Sequence, residues 1–328
     1  MTGLLMNHWY LAAWSEDLAE SPVARTICNI SMVLYRGSNG EVVALRDRCP
    51  HRFAPLSMGK IVGDEIACPY HGLRFDGSGS CTFNPFGDPP AQARVEAFPI
   101  AERDQMIWVW TGDPNQAARE DVPDYSDYMM PGLACIHQHF MLDGHIMLGV
   151  ENLLDLTHAT ALHSTSFASG PYNDFLKSRH RAYFEDAELH ACWDMHFDGG
   201  VNNAQTTWIA PGRMTISSTL DDKGRKLDPP WLQLHIYTPE TETRTHYFTA
   251  ERFDPQVESP KHMEERMRQF KELVFDREDN PVVAAIQKEM GDRDFFDMQP
   301  ALLVTDKACV MARRRYQKML REERGETE

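Results

Sequence analysis

Two cysteines and two histidines fall within the stretch CPHRFAPLSMGKIVGDEIACPYH, which runs from Cys49 to His71. They come as two short pairs, Cys49-x-His51 and Cys68-x2-His71, with sixteen residues between them. Thiolate and imidazole are good metal donors, and two such pairs on neighbouring loops can close around a compact site. A second set of donors lies further on. ENLLDLTHATALHS carries Asn152, Asp155, His158 and His163, and a later helical segment offers Asp276, Glu278, Asp279 and Glu289. Two histidines plus a distant carboxylate make the donor set of non-haem Fe(II) sites, which leave coordination positions open for O2 and substrate.

The first cluster discriminates between metals. A structural zinc site also accepts two cysteines and two histidines, but the common finger puts both cysteines in one pair and both histidines in the other, on a helix. Here each pair is one cysteine and one histidine, which suits a [2Fe–2S] centre in which two cysteines hold one iron and two histidines the other. Pro50 and Pro69 follow the two cysteines and Gly72 follows His71. Such residues stiffen loops and let backbone N–H groups approach cluster sulfurs. Cys81 lies outside the pattern and reads as a packed thiol.

The second set raises a question of geometry. Asp155 and His158 are three apart and share a helix face, whereas five residues from His158 to His163 turn an ideal helix by about 140°. A π-type turn or a break between Thr160 and His163 is therefore expected. Leu153, Leu154, Leu156 and Leu162 make the segment apolar, hence buried, and buried histidines need partners. For the carboxylate, apolar residues follow Asp279 at plus three, four, seven and eleven (Val282, Val283, Ile286, Met290), so Asp279 points with the core face and Asp276 does not. Pro281, two residues on, would delete a helical N–H, so the helix should either kink at the metal or begin there.

The elements that must position these residues follow from pattern. SMVLYRGSNGEVVALRD reads as a hairpin about Ser-Asn-Gly, LRFDGSGSCTF repeats the form, and DQMIWVWTGDP is a strand ended by Gly and Pro. Residues 1–115 are thus expected to form an all-β domain carrying the cluster. Residues 116–130, within the Asp-, Pro- and Tyr-rich DPNQAAREDVPDYSDYMMP, read as a linker. Residues 131–328 mix helical stretches (VENLLDLTHATALH and the span from His262 to about Met290) with strands (QTTWIAPGRMTISST and PPWLQLHIYTPETETRTHYFTAERF). The class is α+β, the second domain holding an antiparallel sheet and the helices of a mononuclear iron site.

The chain has 328 residues, 42% hydrophobic and 25% charged, which is the make-up of a globular protein with length for two domains. A formal charge of −16 argues against nucleic acid, because that affinity comes from Lys and Arg neutralising phosphates. No stretch approaches the roughly 20 apolar residues of a membrane helix, and MTGLLMNHWYLAAWSEDL lacks the basic flank of a signal peptide, so a cytoplasmic protein is expected. Seven scattered cysteines fit reduced thiols and metal ligands better than disulfides.

The motif CPHR…CPYHGLRFDGSG, together with the opening NHWYLAAW, resembles the Rieske non-haem iron oxygenases over essentially the whole chain, nearest the vanillate O-demethylase and dicamba monooxygenase type. The resemblance implies an oxygenase component with a Rieske [2Fe–2S] cluster on Cys49, His51, Cys68 and His71 and a mononuclear Fe(II) on His158, His163 and Asp279. O2 would be the co-substrate and a small aromatic acid the substrate, hydroxylated at a methoxy group and so O-demethylated. Electrons would come from NAD(P)H through a separate flavin and iron–sulfur reductase, since no GxGxxG fingerprint opens a nucleotide unit here. The resemblance also implies a homotrimer in which Asp155, next to Asn152, bridges an iron histidine to a neighbour's cluster histidine; a salt bridge on a helix face is the plainer reading of Asp155. His235 in LQLHIYTPETE and Phe270 fall where the dicamba enzyme places substrate contacts. His246 in THYF is a further candidate, and the family's substrate-binding asparagine aligns with neither Asn202 nor Asn203 securely. Pocket shape depends on loops such as FASGPYNDFLKSRH. N-demethylation or ring hydroxylation by the same metals is the first rival reading. A non-catalytic electron carrier or metal-binding protein is the second, and it would not need the second site.

Overall fold

The computed structural model describes residues 3–326 except 20, 129, 131, 165, 167–178, 198, 199 and 221–225, with side chains described apart from those at 195–197, 200–202, 220 and 227–229. Residues 167–178 of the expected pocket loop and the side chain of Asn202 thus lie outside the described residues. The chain divides into two compact units, Leu5–Ser126 and Met1–Leu4 with Asp127–Glu328.

The first unit is built from β1 (Trp9–Trp14), β2 (Val23–Ile27), β3 (Ile30–Arg36), β4 (Val42–Arg46), β5 (Lys60–Val62), β6 (Glu65–Ala67), β7 (Arg74–Phe75), β8 (Cys81–Phe83), β9 (Ile100–Arg103) and β10 (Met106–Trp110). They form three antiparallel sheets, ordered β1-β10-β9, β2-β3-β4 and β5-β6-β7-β8. The expected hairpin is β3–β4, with Val33 opposite Leu45 and Gly40 at φ 86° in its turn. In LRFDGSGSCTF the Asp76 carboxylate accepts from Ser78 N at 2.9 Å and Ser80 N at 3.0 Å. That bond pattern sets the turn chemistry which joins β7 to β8. β10 reads MIWVW and every residue of it is buried, the signature of a strand covered on both faces.

The stretch expected as linker is tied down on this unit. A short helix, α1 (Pro114–Ala117), is capped by Asp113. Beyond it Trp9 Nε1 donates to Glu120 O at 3.1 Å, Arg103 donates to Val122 O at 3.1 Å, and Tyr125 stacks on Trp108.

The second unit centres on a seven-stranded antiparallel sheet in the order β11-β17-β16-β15-β14-β13-β12. Its strands are β11 (Ala134–Leu142), β12 (Arg179–Glu185), β13 (Glu188–Phe197), β14 (Gly200–Ile209), β15 (Arg213–Leu220), β16 (Lys226–Thr241) and β17 (Arg244–Phe253). The helices are α2 (Ile146–Leu154), α3 (Ala159–Leu162), α4 (Pro260–Gln269), a π-helical stretch Phe270–Asp279, α5 (Asn280–Met290) and α6 (Lys307–Glu323). Alternation along β16 and β17 gives the sheet two faces. One bears His235, Tyr237, Tyr247, Thr249 and Glu251. Helical residues meet this face: Phe275 packs on Tyr247 with ring centroids 5.5 Å apart, Arg266 pairs with Glu251, and Leu156 lies against Trp193 and Ala204.

Candidate metal centres

Cys49 and His51 sit on the β4–β5 loop, Cys68 and His71 on the β6–β7 loop, and the two loops repeat one local design. Phe53 N donates to Cys49 O at 2.9 Å and Cys49 N to Ala54 O at 2.9 Å; Gly72 N donates to Cys68 O at 3.1 Å and Cys68 N to Leu73 O at 2.8 Å. Each turn closes through a residue at positive φ, Phe53 at 61° and Gly72 at 75°. Glycine takes that conformation without penalty, and at Phe53 a guanidinium covers the ring, Arg48 lying 4.1 Å from its centroid.

The donor atoms converge. Cys49 and Cys68 are buried in the domain core beside Leu56, Leu73 and Phe75, and the imidazoles of His51 and His71 are 4.6 Å apart. Burial, with Cys68 beside it, pushes the Cys49 thiol up to about 11, against the pull of the His51 and Arg52 N–H groups directed at its sulfur. Those N–H groups suit a thiolate, and a bound cation would supply the missing charge balance. His71 Nδ1 is buried with no hydrogen-bond partner among the described residues. An orphan imidazole nitrogen beside two buried thiols fits a metal cluster and fits no packing role. Cys81 packs at the edge of the same core, its thiol 3.5 Å from Phe83 O. The rim is exposed and aromatic, formed by Tyr70 and Phe86 beside His71.

In the second unit the helix carrying Asn152 stops at Leu154. Asp155 adopts φ −119°, ψ 87°, its carboxylate accepts from Thr157 N at 3.0 Å, and a 3-10 turn follows over Leu156–His158. α3 then ends on His163. The chain breaks at Asp155, upstream of both histidines, and again where α3 ends at Leu162 and His163 takes φ −100°, ψ 17°, so the span between Thr160 and His163 holds a break and not a π-type turn. The π geometry belongs to the opposite arm, Phe270–Asp279. It also removes the difficulty at Pro281, which falls in the first turn of α5 after the register change, where its missing N–H is tolerated.

His158, His163 and Asp279 come together, each offering one ligand atom, all within 4.8 Å of one another. Asp279 Oδ1 lies 3.2 Å from His163 Nε2 and 3.6 Å from His158 Nε2. Donors about 2.1 Å from a shared ion and at right angles would stand about 3 Å apart, so the spacing suits one small cation. Both rings are oriented by their other nitrogen. His158 Nδ1 donates to the Asp155 carbonyl at 2.6 Å, and His163 Nδ1 donates to Glu278 Oε2 at 2.6 Å, where Ser166 also donates at 2.8 Å. Each such bond fixes the tautomer that keeps the lone pair on Nε2. Burial opposes protonation of His163, but Asp279 and Glu278 outweigh it and raise its pKa. Asn152 Nδ2 donates to Asp279 Oδ1 at 3.2 Å and holds the carboxylate in place.

The Asp155 carboxylate does not touch His158; the carbonyl of the same residue does. Glu278 was legible only as one acidic residue among four, though an Asp or Glu directly beside a ligand and facing the same histidine is a recognisable supporting pattern. His235 is buried on the helix-covered face, with Nδ1 2.6 Å from Tyr247 Oη and its pKa lowered by burial to about 3. Phe270, half-buried, opens the π stretch. His246 does not join them. As the neighbour of Tyr247 on β17 it points to the other face, with His139 Nε2 3.0 Å from its Nδ1. Asn203 is exposed on β14.

Comparison with known proteins gives these two centres a family. Residues 8–99 match the Rieske [2Fe-2S] domain, and residues 142–322 match the vanillate O-demethylase oxygenase C-terminal domain. The dicamba O-demethylase oxygenase component of Stenotrophomonas maltophilia is 33% identical over 95% of this chain and 97% of its own length. The chloroacetanilide N-alkylformylase oxygenase component of Rhizorhabdus wittichii (strain DC-6 / KACC 16600) is likewise 33% identical, over 94% of each chain. A crystal structure of dicamba monooxygenase with non-haem iron and dicamba superposes with TM-score 0.80 at 31% identity, over 98% of this chain and 99% of that one. The chain therefore belongs to the Rieske non-haem iron oxygenases of the vanillate O-demethylase type, as an oxygenase component with a [2Fe–2S] cluster and a mononuclear iron.

Proposed function

We propose that this oxygenase component demethylates a methoxylated aromatic acid. The cluster is assigned to Cys49, His51, Cys68 and His71, and the iron to His158, His163 and Asp279; bound there, they supply single electrons and O2 activation. The observation that carries the reading is the convergence of the two histidine Nε2 atoms on one oxygen of Asp279, at 3.2 and 3.6 Å. Three protein donors leave positions open, which an electron carrier would not require.

One oxygen atom enters a methyl C–H bond and the other leaves as water, with two electrons and two protons consumed. The resulting aryl hemiacetal collapses to a phenol and formaldehyde. The residues of the chain orient the donors, exclude water and place the methyl group. His235 and Phe270 are assigned to the substrate, whereas His246, directed at the other sheet face, is not. The electrons are assigned to an NAD(P)H-dependent reductase on a separate chain that meets the exposed aromatic rim near His71.

Asp155 is assigned as the bridge between the iron site of one subunit and the cluster of the next in a homotrimer. Its carbonyl already holds His158, so a carboxylate reaching a neighbour's imidazole would join two centres through one residue. Such head-to-tail contacts close as rings. No helix among the described residues is long and apolar enough to cross a membrane, and the cytoplasm is the assigned compartment.

The test is a single turnover of chemically reduced, iron-loaded enzyme exposed to O2 with a panel of methoxybenzoates. One formaldehyde per O2 consumed is expected; a cis-diol, or no product from protein holding about three irons per chain, would overturn the reading. The N-alkylformylase relative favours one variant of it, oxidation at a carbon on nitrogen. N-methylanilines in the same panel decide between the two.

A further inference from the structure

His235 stands at the end of a line of phenols. Tyr237 and Tyr247 share a side-chain hydrogen bond, the two rings stacked with centroids 4.5 Å apart, and Tyr247 Oη lies 2.6 Å from His235 Nδ1. A phenol has one proton to give. Tyr247 gives its own to Nδ1, the imidazole nitrogen being a stronger acceptor than a phenol oxygen, and a neutral imidazole whose Nδ1 accepts must carry its hydrogen on Nε2. Burial keeps His235 in that neutral form.

Among the described residues that Nε2–H is buried with no hydrogen-bond partner, and so is Oγ1 of Thr249. The two residues are each 1% exposed, their Cα atoms are paired across β16 and β17, and Thr249 shares the face of Tyr247 two residues along the strand. Buried polar atoms are nearly always satisfied, and an orphaned donor costs free energy until a partner arrives. Two orphans on one cross-strand pair of the helix-covered face can meet one hydrogen-bond acceptor.

We propose that Tyr237 and Tyr247 are positioning residues that hold His235 as an Nε2–H donor, and that His235 together with Thr249 binds an anionic oxygen of the substrate's acid group. The inference rests on the aromatic-oxygenase reading above and names what that reading left open, namely which residues fix the donor and which second side chain meets the acid. Specificity follows from satisfaction. A ring with a carboxylate fills both orphans, and a ring without one leaves them unpaired.

The experiment measures dissociation constants by calorimetry on anaerobic, iron-loaded holoenzyme. The probes are 4-methoxybenzoate and vanillate, each paired with its counterpart lacking the carboxylate, methoxybenzene and 2-methoxyphenol. The wild type is expected to bind at least one acid about 10-fold or more tighter than its counterpart. Thr249→Val, isosteric at its branch, and Tyr247→Phe are each expected to weaken that acid about 3- to 10-fold and to leave the counterpart unchanged. In a His235→Gln background, whose amide N–H needs no phenol to orient its proton, Tyr247→Phe should cost nothing further, because the tyrosine acts only through the imidazole.

Acids binding no tighter than neutral rings would overturn the proposal. So would Thr249→Val raising the melting temperature with affinity unchanged, which would mark its hydroxyl as an orphan without a ligand, or Tyr247→Phe losing the same factor in both backgrounds. Should Tyr247→Phe fail to fold, Thr249→Val still decides. Formaldehyde release is scored separately: methyl loss from neutral rings with no preference for acids sinks this inference alone, whereas acid-selective binding without methyl loss sinks the demethylation reading alone.

Discussion

Removal of the Glu278 carboxylate should loosen the mononuclear iron while sparing the cluster. His163 Nδ1 donates to Glu278 Oε2 at 2.6 Å, and both side chains are largely buried, at 2% and 17% exposure. A short hydrogen bond to a charged acceptor contributes about 1.5–3 kcal/mol. Lost from a metal-bound imidazole, that range corresponds to about 10- to 100-fold in metal affinity, the usual size of effect when the outer partner of a ligating histidine is removed. Glu278→Gln keeps an oxygen that can accept from Nδ1 and should fall near the lower end; Glu278→Ala, which also removes one of the two acceptors of Ser166, should fall near the upper. Iron affinity is read by chelator competition, with the visible absorption of the [2Fe–2S] centre as the internal control for folding. Glu272→Gln, at an exposed residue paired with Arg268 on the same helical arm, should leave iron affinity unchanged. Wild-type iron affinity in Glu278→Ala would refute the idea that this carboxylate orients His163.

Asp155→Asn preserves an oxygen to cap Thr157, so both metals should stay bound, but product formation should drop about 100-fold if the charge joins the two centres; metal analysis with single-turnover yield checks this, and normal turnover reduces Asp155 to a helix cap. His145, fully buried at the start of α2, has its pKa lowered to about 4 by burial. It is neutral when folded, whereas the unfolded chain takes up a proton below about pH 6.5; stability is therefore lost as pH falls from about 6.5 towards 4, by about 2 kcal/mol at pH 5. His145→Asn, an N-cap that does not titrate, should flatten that part of a urea-midpoint profile, and an unchanged slope contradicts the assignment. Arg313 grips both oxygens of the largely buried Glu151 at 2.5 Å, fixing α6 to α2 one residue from Asn152. Arg313→Met should cost about 3–5 kcal/mol by stranding that carboxylate, and Glu151→Met added to it should recover much of the loss in thermal melts.

What was legible in the sequence was local. The cluster loops could be read because each ligand pair spans two or three residues and its turn is closed by its own backbone, with Gly72 marking one of the two positive-φ positions. Asp279 emerged from a helical apolar row even though Val282 and Ile286 remain 43% exposed, because Val283 and Met290 suffice to fix the face. What could not be read was which of several helical irregularities would be used where. The 140° problem between His158 and His163 admitted a widened turn or a break, and the chain uses a break, since α3 ends at Leu162 and His163 leaves the helical conformation. Pro281, a seeming obstacle, marks the point where a π stretch returns to α. Alternation along β17 was visible, yet which face carried the helices was not, and so His246 stood as a candidate although its neighbour Tyr247, not His246, lies on the helix-covered side.

The two histidines assigned to the iron are secured by unlike means, and this shapes how the site can be tuned. His158 is held by the main-chain carbonyl of Asp155 within its own turn, a partner no substitution can remove and one fixed as soon as that turn forms. His163 is held by a carboxylate 115 residues away, so its orientation exists only once the π arm has packed against α3. Asp279 is the adjacent residue on that same arm, so ligand and orienting carboxylate arrive together. A π stretch makes this possible: by changing register within a continuous helix it turns two consecutive acidic side chains towards one imidazole, Glu278 to Nδ1 and Asp279 to Nε2. Restoring plain α geometry by deleting one residue between Phe270 and Asp276 would swing both away at once, and the expected result is a chain that keeps its cluster spectrum and loses its mononuclear iron.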